Sequence, residues 1–171
     1  MDVTIRETDV YKKWFAKLKD TVAKARILVR LRRMSLGNFG EFRNGELVIL
    51  LAGGISRRKQ KTLLGQRSWL RICEEAEMKT KTTIWKAENH LKTKEEREAY
   101  LNAAFEDGDA SVIAAALGDI ARAEGMSKVA KKTGLGRESL YKTLSADGNP
   151  ALSTILKILK AFDFNLRAAC L

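Results

Sequence analysis

The sequence has little of several residue types, and each scarcity narrows what the chain can be. It contains one proline and one histidine in 171 residues. With so few helix breakers and 45% hydrophobic residues, the composition indicates a globular, mainly helical protein. Cys73 and Cys170 are far apart, and no histidine or further cysteine stands at metal-ligand spacing near either. We therefore expect free thiols in a reducing compartment, with no disulfide, metal or cofactor.

Long apolar runs are also missing. None reaches the ~18 residues that a membrane-spanning helix requires. The acidic N-terminus does not resemble a secretory signal. These two absences predict a soluble, cytoplasmic protein that does not contact the membrane.

Negative charge is scarce relative to positive charge. The chain has 32 Lys and Arg against 21 Asp and Glu, a formal net charge of +11. A polyanionic partner such as nucleic acid fits this balance. The excess is uneven, because residues 1–77 carry a net +8 and residues 78–171 a net +3.

The second half of the chain predicts five helices with consistent ends. Thr93 and Glu96 form a capping box, and Asp109 is an N-cap for the following helix. Before the last helix, Asn149 is the predicted cap and Pro150 takes the first helical position. The predicted helices are Lys94–Glu106, Ala110–Ala123, Ser127–Thr133, Arg137–Leu144 and Ala151–Phe162. Phe164–Leu171 is predicted as a short strand or an apolar tail.

The first half is less regular and mixes strand and helix patterns. The predicted strands are Val3–Arg6 and Glu46–Leu51, and the predicted helices run from Thr8 to about Leu18 and from about Thr21 to Met34. Residues 37–45 are predicted as a loop. Residues 55–77 are predicted as a linker, either helical or poorly ordered.

Gly125–Leu144 has the spacing of a helix-turn-helix that reads DNA. Ala130 stands where a small side chain lets two helices cross closely, and Gly134 stands where the turn needs a positive φ. Val129, Leu135, Leu140 and Leu144 fall at the inward positions. The alternative is an ordinary helical hairpin with a solvated basic face.

The outward positions supply a candidate DNA-binding surface for the major groove of operator DNA. Arg137 and Lys142 are expected to donate to guanine edges or phosphates, and Tyr141 to pack on a sugar or a thymine methyl. Lys131 and Lys132 would add salt-sensitive affinity. The full candidate set is Ser127, Lys128, Lys131, Lys132, Arg137, Glu138, Ser139, Tyr141 and Lys142. Such motifs usually act as dimers, and Ile155–Leu171 is the candidate dimer surface, with core packing as the alternative.

Residues suited to catalysis do not form a recognisable constellation. His90 lies in the second half and is expected at the surface or in a cap. Arg26, Arg30, Arg32 and Arg33 are candidates for RNA phosphate contact or, equally simply, a solvated helix face. No Ser/His/Asp, Cys/His or metal-ligand arrangement emerges, so no catalytic residue is predicted.

The second half resembles the antidotes of bacterial toxin–antitoxin modules, of the HigA-like group with a Cro-type helix-turn-helix. The matching stretches are AYLNAAFEDGD (99–109), VIAAALGDIARAEGMS (112–127) and GLGRESLYKTLSADGNP (134–150). The resemblance implies a lambda-repressor-like domain that binds operator DNA as a homodimer, represses its own operon and neutralises a cognate RelE/HigB-like toxin.

The first half resembles the toxin of such a module, a RelE/HigB-like killer protein. The matching stretches are YKKWFAKLKD (11–20), KARILVRLRRMSLGNFG (24–40) and ELVILLAGG (46–54). The family implies β-α-α-β-β-β order and cleavage of messenger RNA, but only residues 41–45 stand where two central strands belong. The resemblance therefore implies an incomplete α+β segment.

The resulting interpretation has three parts: residues 1–54 as a truncated toxin segment, 55–77 as a linker, and 78–171 as a five-helix antidote domain. The whole chain is predicted to be a non-enzymatic, DNA-binding repressor and antidote fused to a degenerate toxin remnant. Two alternatives stay open. One is a fused protein with latent ribonuclease activity, and the other is a scaffold that sequesters toxin without binding DNA.

Overall fold

The computed structural model describes residues 4–38, 48–50, 81–145 and 148–167. The chain divides into two compact units, unit 1 (Met1–Lys19 with Gly40–Trp85) and unit 2 (Asp20–Phe39 with Lys86–Leu171). Unit 1 contains β1 (Ile5–Thr8), α1 (Asp9–Lys17), β2 (Val48–Leu50) and β3 (Thr82–Ile84). Unit 2 contains α2 (Thr21–Ser35), a 3₁₀ helix (Ala87–His90), α3 (Lys94–Asp107), α4 (Ala110–Glu124), α5 (Met126–Thr133), α6 (Arg137–Thr143) and α7 (Leu152–Ala161). The described part of the chain is mainly helical, as predicted.

Unit 1 has a small sheet in the order β2-β1-β3. Strand β1 runs parallel to β2, with Arg6 opposite Ile49, and antiparallel to β3, with Glu7 opposite Thr83. Thr8 ends β1 and starts α1, because its hydroxyl accepts the backbone N–H of Tyr11 at 3.1 Å. Both predicted strands are present. Strand β1 is displaced by two residues, and β2 is described over Val48–Leu50. The sequence analysis did not predict β3, and the RelE-like assignment of this region stays a prediction.

Unit 2 is built on α3 and α4, whose ends follow the predicted caps. The Thr93 hydroxyl accepts the N–H of Glu96, and the Glu96 carboxylate accepts the N–H of Thr93, which completes the capping box. Asp109 caps α4 by accepting the N–H groups of Ser111 and Val112. The centre of α4 is buried on every side, from Ala114 to Ala121. All five helices predicted in the second half are present within two residues of their predicted ends.

Helix α2 belongs to unit 2, although the sequence division places its residues in the 1–54 segment. Its buried side chains are Ala25, Leu28, Val29 and Leu31, and it packs on α3 and α4. Amphipathic spacing predicted the helix but not its neighbours. The boundaries at residues 54 and 78 stay a prediction, and the linker 55–77 lies outside the described residues.

The start of α7 differs from the prediction. The helix begins at Leu152, its N-cap is Ala151, and no side chain caps it. Ala151 is extended, with a ψ of 147°, so Pro150 precedes the helix instead of opening it and Asn149 is not its cap. Residues 164–167 form no strand, and residues 168–171 lie outside the described part. Among the described helices, none is long and apolar enough to cross a membrane.

Candidate nucleic-acid interface

Helices α5 and α6 are joined by a tight corner at Gly134. This glycine has a φ of 69°, the left-handed conformation that the sequence predicted. Thr133 helps to close the corner, because its hydroxyl donates to the Val129 carbonyl at 2.8 Å and accepts the N–H of Leu135 at 3.4 Å. The two helices are therefore held at a defined angle by their own residues.

The inward side of this helix pair is apolar and buried. Val129, Leu140 and Leu144 are each 1% exposed, whereas Leu135 is half-buried. The closest approach to the core is at Gly118 of α4, where an added Cβ would lie 2.4 Å from the carbonyl oxygen of Leu144. The sequence analysis placed a close crossing at Ala130 and overlooked Gly118, although an isolated glycine inside an apolar helix is a signal of close packing.

All nine predicted DNA-contact residues are exposed on this helix pair. Tyr141 is 42% exposed, and the guanidinium of Arg137 lies 5.7 Å from the centre of its ring. The exposed set is Ser127, Lys128, Lys131, Lys132, Arg137, Glu138, Ser139, Tyr141 and Lys142. The structure brings them together on two short adjacent helices, while their role in binding stays a prediction.

Two of the lysines on α5 have partners within unit 2. Lys128 Nζ lies 2.9 Å from the Glu124 carboxylate, and Lys132 Nζ donates to the carbonyl of Ala161 at 2.9 Å. The hydrogen bond from Lys128 lowers the pKa of Glu124, so this carboxylate is ionised near neutral pH. Part of the Lys128 charge is therefore balanced locally, and Lys132 is oriented by the end of α7.

A second cluster of charged groups is buried between α2, α3 and α4. Asp119 of α4 is 0% exposed. Its Oδ2 accepts from Arg32 Nε at 2.8 Å and from the Tyr100 hydroxyl at 2.9 Å, while its Oδ1 accepts from Arg32 Nη2 and, at 2.5 Å, from Arg122 Nη2. The sequence analysis did not single out Asp119. The available signal was one carboxylate inside an otherwise apolar stretch, AAALGDIA.

Other basic residues on α2 also have carboxylate neighbours. Arg32 pairs with Asp119, Arg33 Nη1 lies 2.9 Å from Asp107, and the exposed pair of Arg26 and Glu106 is separated by 3.7 Å. Arg30 is exposed. Three of the four arginines proposed for RNA contact thus have carboxylate partners within unit 2. In the described part of the chain, no group of three or more His, Cys, Asp or Glu side chains is arranged to hold a metal ion.

Comparison with known proteins identifies a matching family and two curated relatives. Residues 81–170 match a family described as probable addiction module antidote protein. An uncharacterised protein of Haemophilus influenzae is 44% identical over 78 residues, which cover 46% of this chain and 80% of that relative. A second uncharacterised protein of the same organism is 31% identical over 87 residues, and the match covers 37% of this chain and 88% of that relative. No solved structure matches the chain.

Proposed function

This chain belongs to the family of probable addiction module antidote proteins, and from that premise we propose that it binds operator DNA and represses transcription through α5 and α6. Helix α6 enters the major groove, as the second helix of a helix-turn-helix does. The toxin of the module is its proposed protein partner. Both roles follow the antidote interpretation of the sequence.

The observation that carries the proposal is the separation of polar and apolar residues on the helix pair. Every predicted contact residue is exposed, while Val129, Leu140 and Leu144 on the opposite side are buried. The end of α6 also packs tightly on α4, because an added Cβ on Gly118 would leave no room for α6 at its present distance. An ordinary helical hairpin with a solvated basic face would not require such tight packing. A recognition helix must be held rigidly so that its side chains meet base edges in register.

The exposed residues have distinct proposed roles. Arg137 and Lys142 donate to guanine edges or phosphates, and Ser139 donates or accepts at a base edge. Tyr141 packs on a sugar or a thymine methyl, and Glu138 orients an arginine. On α5, Ser127 and Lys128 contact a phosphate near the helix N-terminus, and Lys131 and Lys132 add non-specific affinity.

Dimerisation completes the proposal, because two recognition helices about 34 Å apart meet successive major grooves. The candidate surface from Ile155 onward divides in the structure. Ile158, Leu159 and Phe162 are buried within unit 2, whereas Leu156 is exposed. Leu152, which precedes the candidate surface, is exposed one helical turn before Leu156 on α7. One side of α7 therefore packs in the core of unit 2, as the alternative interpretation expects. The exposed leucines on its other side are available to a second copy of the chain.

The decisive experiment is a gel-shift titration with the DNA immediately upstream of the coding region. We expect the Arg137→Ala/Lys142→Ala variant to lose at least tenfold in affinity, since each good base contact contributes about 1–3 kcal/mol. The matched control is Lys13→Ala/Lys17→Ala, which removes two exposed positive charges from α1. Unchanged affinity in the α6 variant, or an equal loss in the control, would contradict base reading by α6.

The origin of the first half belongs to the same proposal. We interpret residues 1–54 as a degenerate RelE/HigB-like remnant without ribonuclease activity. The order β1-α1-α2-β2 agrees with the start of the order that the resemblance implies. The pairing of Arg32 and Arg33 with carboxylates of unit 2 supports a loss of RNA contact. The absence of enzymatic activity stays a prediction.

A further inference from the structure

Helix α2 lies outside the family match and is nevertheless built into the unit that the match describes. The match covers residues 81–170, whereas α2 spans Thr21–Ser35. Its buried side chains include Leu28 at 2% and Leu31 at 5% exposure. An antidote domain limited to the matched residues would therefore expose an apolar area of α3 and α4 that α2 covers here.

The area that α2 covers is acidic as well as apolar, and basic side chains of α2 lie opposite its carboxylates. Lys24 Nζ lies 3.2 Å from Glu96, and Arg33 Nη1 lies 2.9 Å from Asp107. Arg32 reaches Asp119, the most deeply buried of these carboxylates. We call this area the α2-binding face, defined by Glu96, Tyr100, Asp107 and Asp119.

The deepest carboxylate of this face needs a cation from outside the matched residues. Arg122 also donates to Asp119, but it is shared with Glu88, whose Oε2 lies 3.1 Å from Arg122 Nε. One guanidinium between two carboxylates leaves a net negative charge in a buried place, which is unfavourable. Arg32 supplies the missing positive charge, and burial of Leu28 and Leu31 fixes the helix that carries it.

We propose that the α2-binding face is a docking surface for a basic amphipathic helix of a toxin, and that α2 occupies this surface within the same chain. The proposal rests on the antidote role stated above. The partner helix must carry an arginine with leucines one and four positions before it, as Arg32 follows Leu31 and Leu28. A separate toxin then competes with α2, so this chain is self-occupied and binds such a toxin weakly.

The test uses the full chain and a fluorescein-labelled peptide of residues 20–38 in an anisotropy titration. Arg32→Glu places a like charge beside Asp119 and should release α2, which vacates the face for the peptide. We expect this variant to bind the peptide at least tenfold more tightly than the wild-type chain does. The matched control is Arg30→Glu, which makes the same charge change at an exposed position of α2 and should behave as the wild type.

Two additions keep the test decisive. Arg33→Glu is the second variant, in case Arg32→Glu unfolds the chain. It breaks the pair with Asp107 nearer the surface, where the Arg33 side chain is 42% exposed, and so creates no buried like-charge contact. We expect a smaller gain in peptide affinity than for Arg32→Glu. A peptide with glutamate in place of Arg32 should not bind. Equal peptide affinity for wild type and both released variants, or an equal gain in Arg30→Glu, would overturn the proposal. The assay contains no DNA, so its failure is distinguishable from failure of the operator titration.

Discussion

At the residue scale, Asp119 organises the interior of unit 2. It accepts hydrogen bonds from Arg32, Tyr100 and Arg122, side chains that come from α2, α3 and α4. Burial and then the charge of Asp119 raise the pKa of Tyr100 well above its ordinary value, so its hydroxyl stays protonated and donates. Burial alone would lower the pKa of Arg32, but the Asp119 charge and hydrogen bonds outweigh burial and raise it. Both donors are therefore held in the form that Asp119 requires.

Gly118 provides the first prediction at this scale. Gly118→Ala should destabilise the protein by about 1–3 kcal/mol, because the new methyl overlaps the Leu144 carbonyl and forces α4 and α6 apart. Better helix propensity of alanine, about 1 kcal/mol, opposes this loss and does not remove the overlap. The measurement is the free energy of unfolding in urea.

The control for that substitution is Gly136→Ala. At Gly136 an added Cβ would meet only the Cβ of Ser139, at 3.9 Å, and φ is −63°. The free energy of unfolding of this variant should differ from that of the wild type by no more than about 0.5 kcal/mol. If Gly118→Ala proved as stable as Gly136→Ala, the close contact between α4 and α6 would not exist in solution.

At the element scale, the N-terminus of α3 links a local cap to α2. The Glu96 carboxylate accepts the N–H groups of Lys92 and Thr93 and lies 3.2 Å from Lys24 Nζ of α2. Partial burial would raise the pKa of Glu96, but the two backbone hydrogen bonds and Lys24 outweigh it and lower the pKa. One carboxylate therefore both starts α3 and holds the first turns of α2.

This lowered pKa predicts a pH dependence of stability. Because Glu96 is more acidic in the folded than in the unfolded chain, its contribution is fully present above the unfolded pKa and is lost as the pH falls through the folded pKa. We expect Glu96→Gln to be less stable than the wild type at pH 7, and the difference in the free energy of unfolding to shrink as the pH falls below the unfolded pKa of glutamate. Urea unfolding of both proteins at a series of pH values measures this difference in the free energy of unfolding.

The matched control is Glu98→Gln, which removes an exposed carboxylate from the same helix. Its stability difference from the wild type should stay small and nearly constant over the same pH range. A Glu96→Gln difference that did not shrink as the pH fell would show that the side chain acts through packing and not through its charge.

At the scale of the whole molecule, the proposed dimer depends on the exposed side of α7. Leu152 is 62% exposed and Leu156 is 47% exposed, and both lie on the same side of α7. Exposed leucines one helical turn apart are typical of a helix that packs on a partner. A dimer through this side would place α5 and α6 twice in one assembly, as the proposed operator binding requires.

The corresponding prediction is that Leu152→Glu/Leu156→Glu is a folded monomer. Four like charges across the interface would prevent association, so light scattering should report half the wild-type mass and operator affinity should fall at least tenfold. Val22→Glu is the control, because Val22 is 53% exposed on α2, and it should leave mass and affinity unchanged. A variant that kept the dimeric mass would place the interface elsewhere.

Local sequence signals were sufficient to predict the elements of the second half and the candidate interface on them. Caps at Thr93 and Asp109, the positive φ at Gly134 and the apolar spacing of Val129 and Leu140 are local properties, since each depends on residues within a few positions along the chain. For the same reason the nine candidate contact residues could be recognised as one exposed face. Their chemistry toward DNA stays a prediction.

The contacts between residues far apart along the chain became visible only in the three-dimensional fold. The pairing of β3 with β1, the fit of Gly118 against Leu144, and the placement of Arg32 beside Asp119 join positions separated by tens of residues. Periodicity shows that a helix has an apolar face but not which surface covers it. The assignment of α2 to the unit of α3 and α4 came from burial and charge pairing in three dimensions, because a buried carboxylate is stable only where the fold brings cations to it.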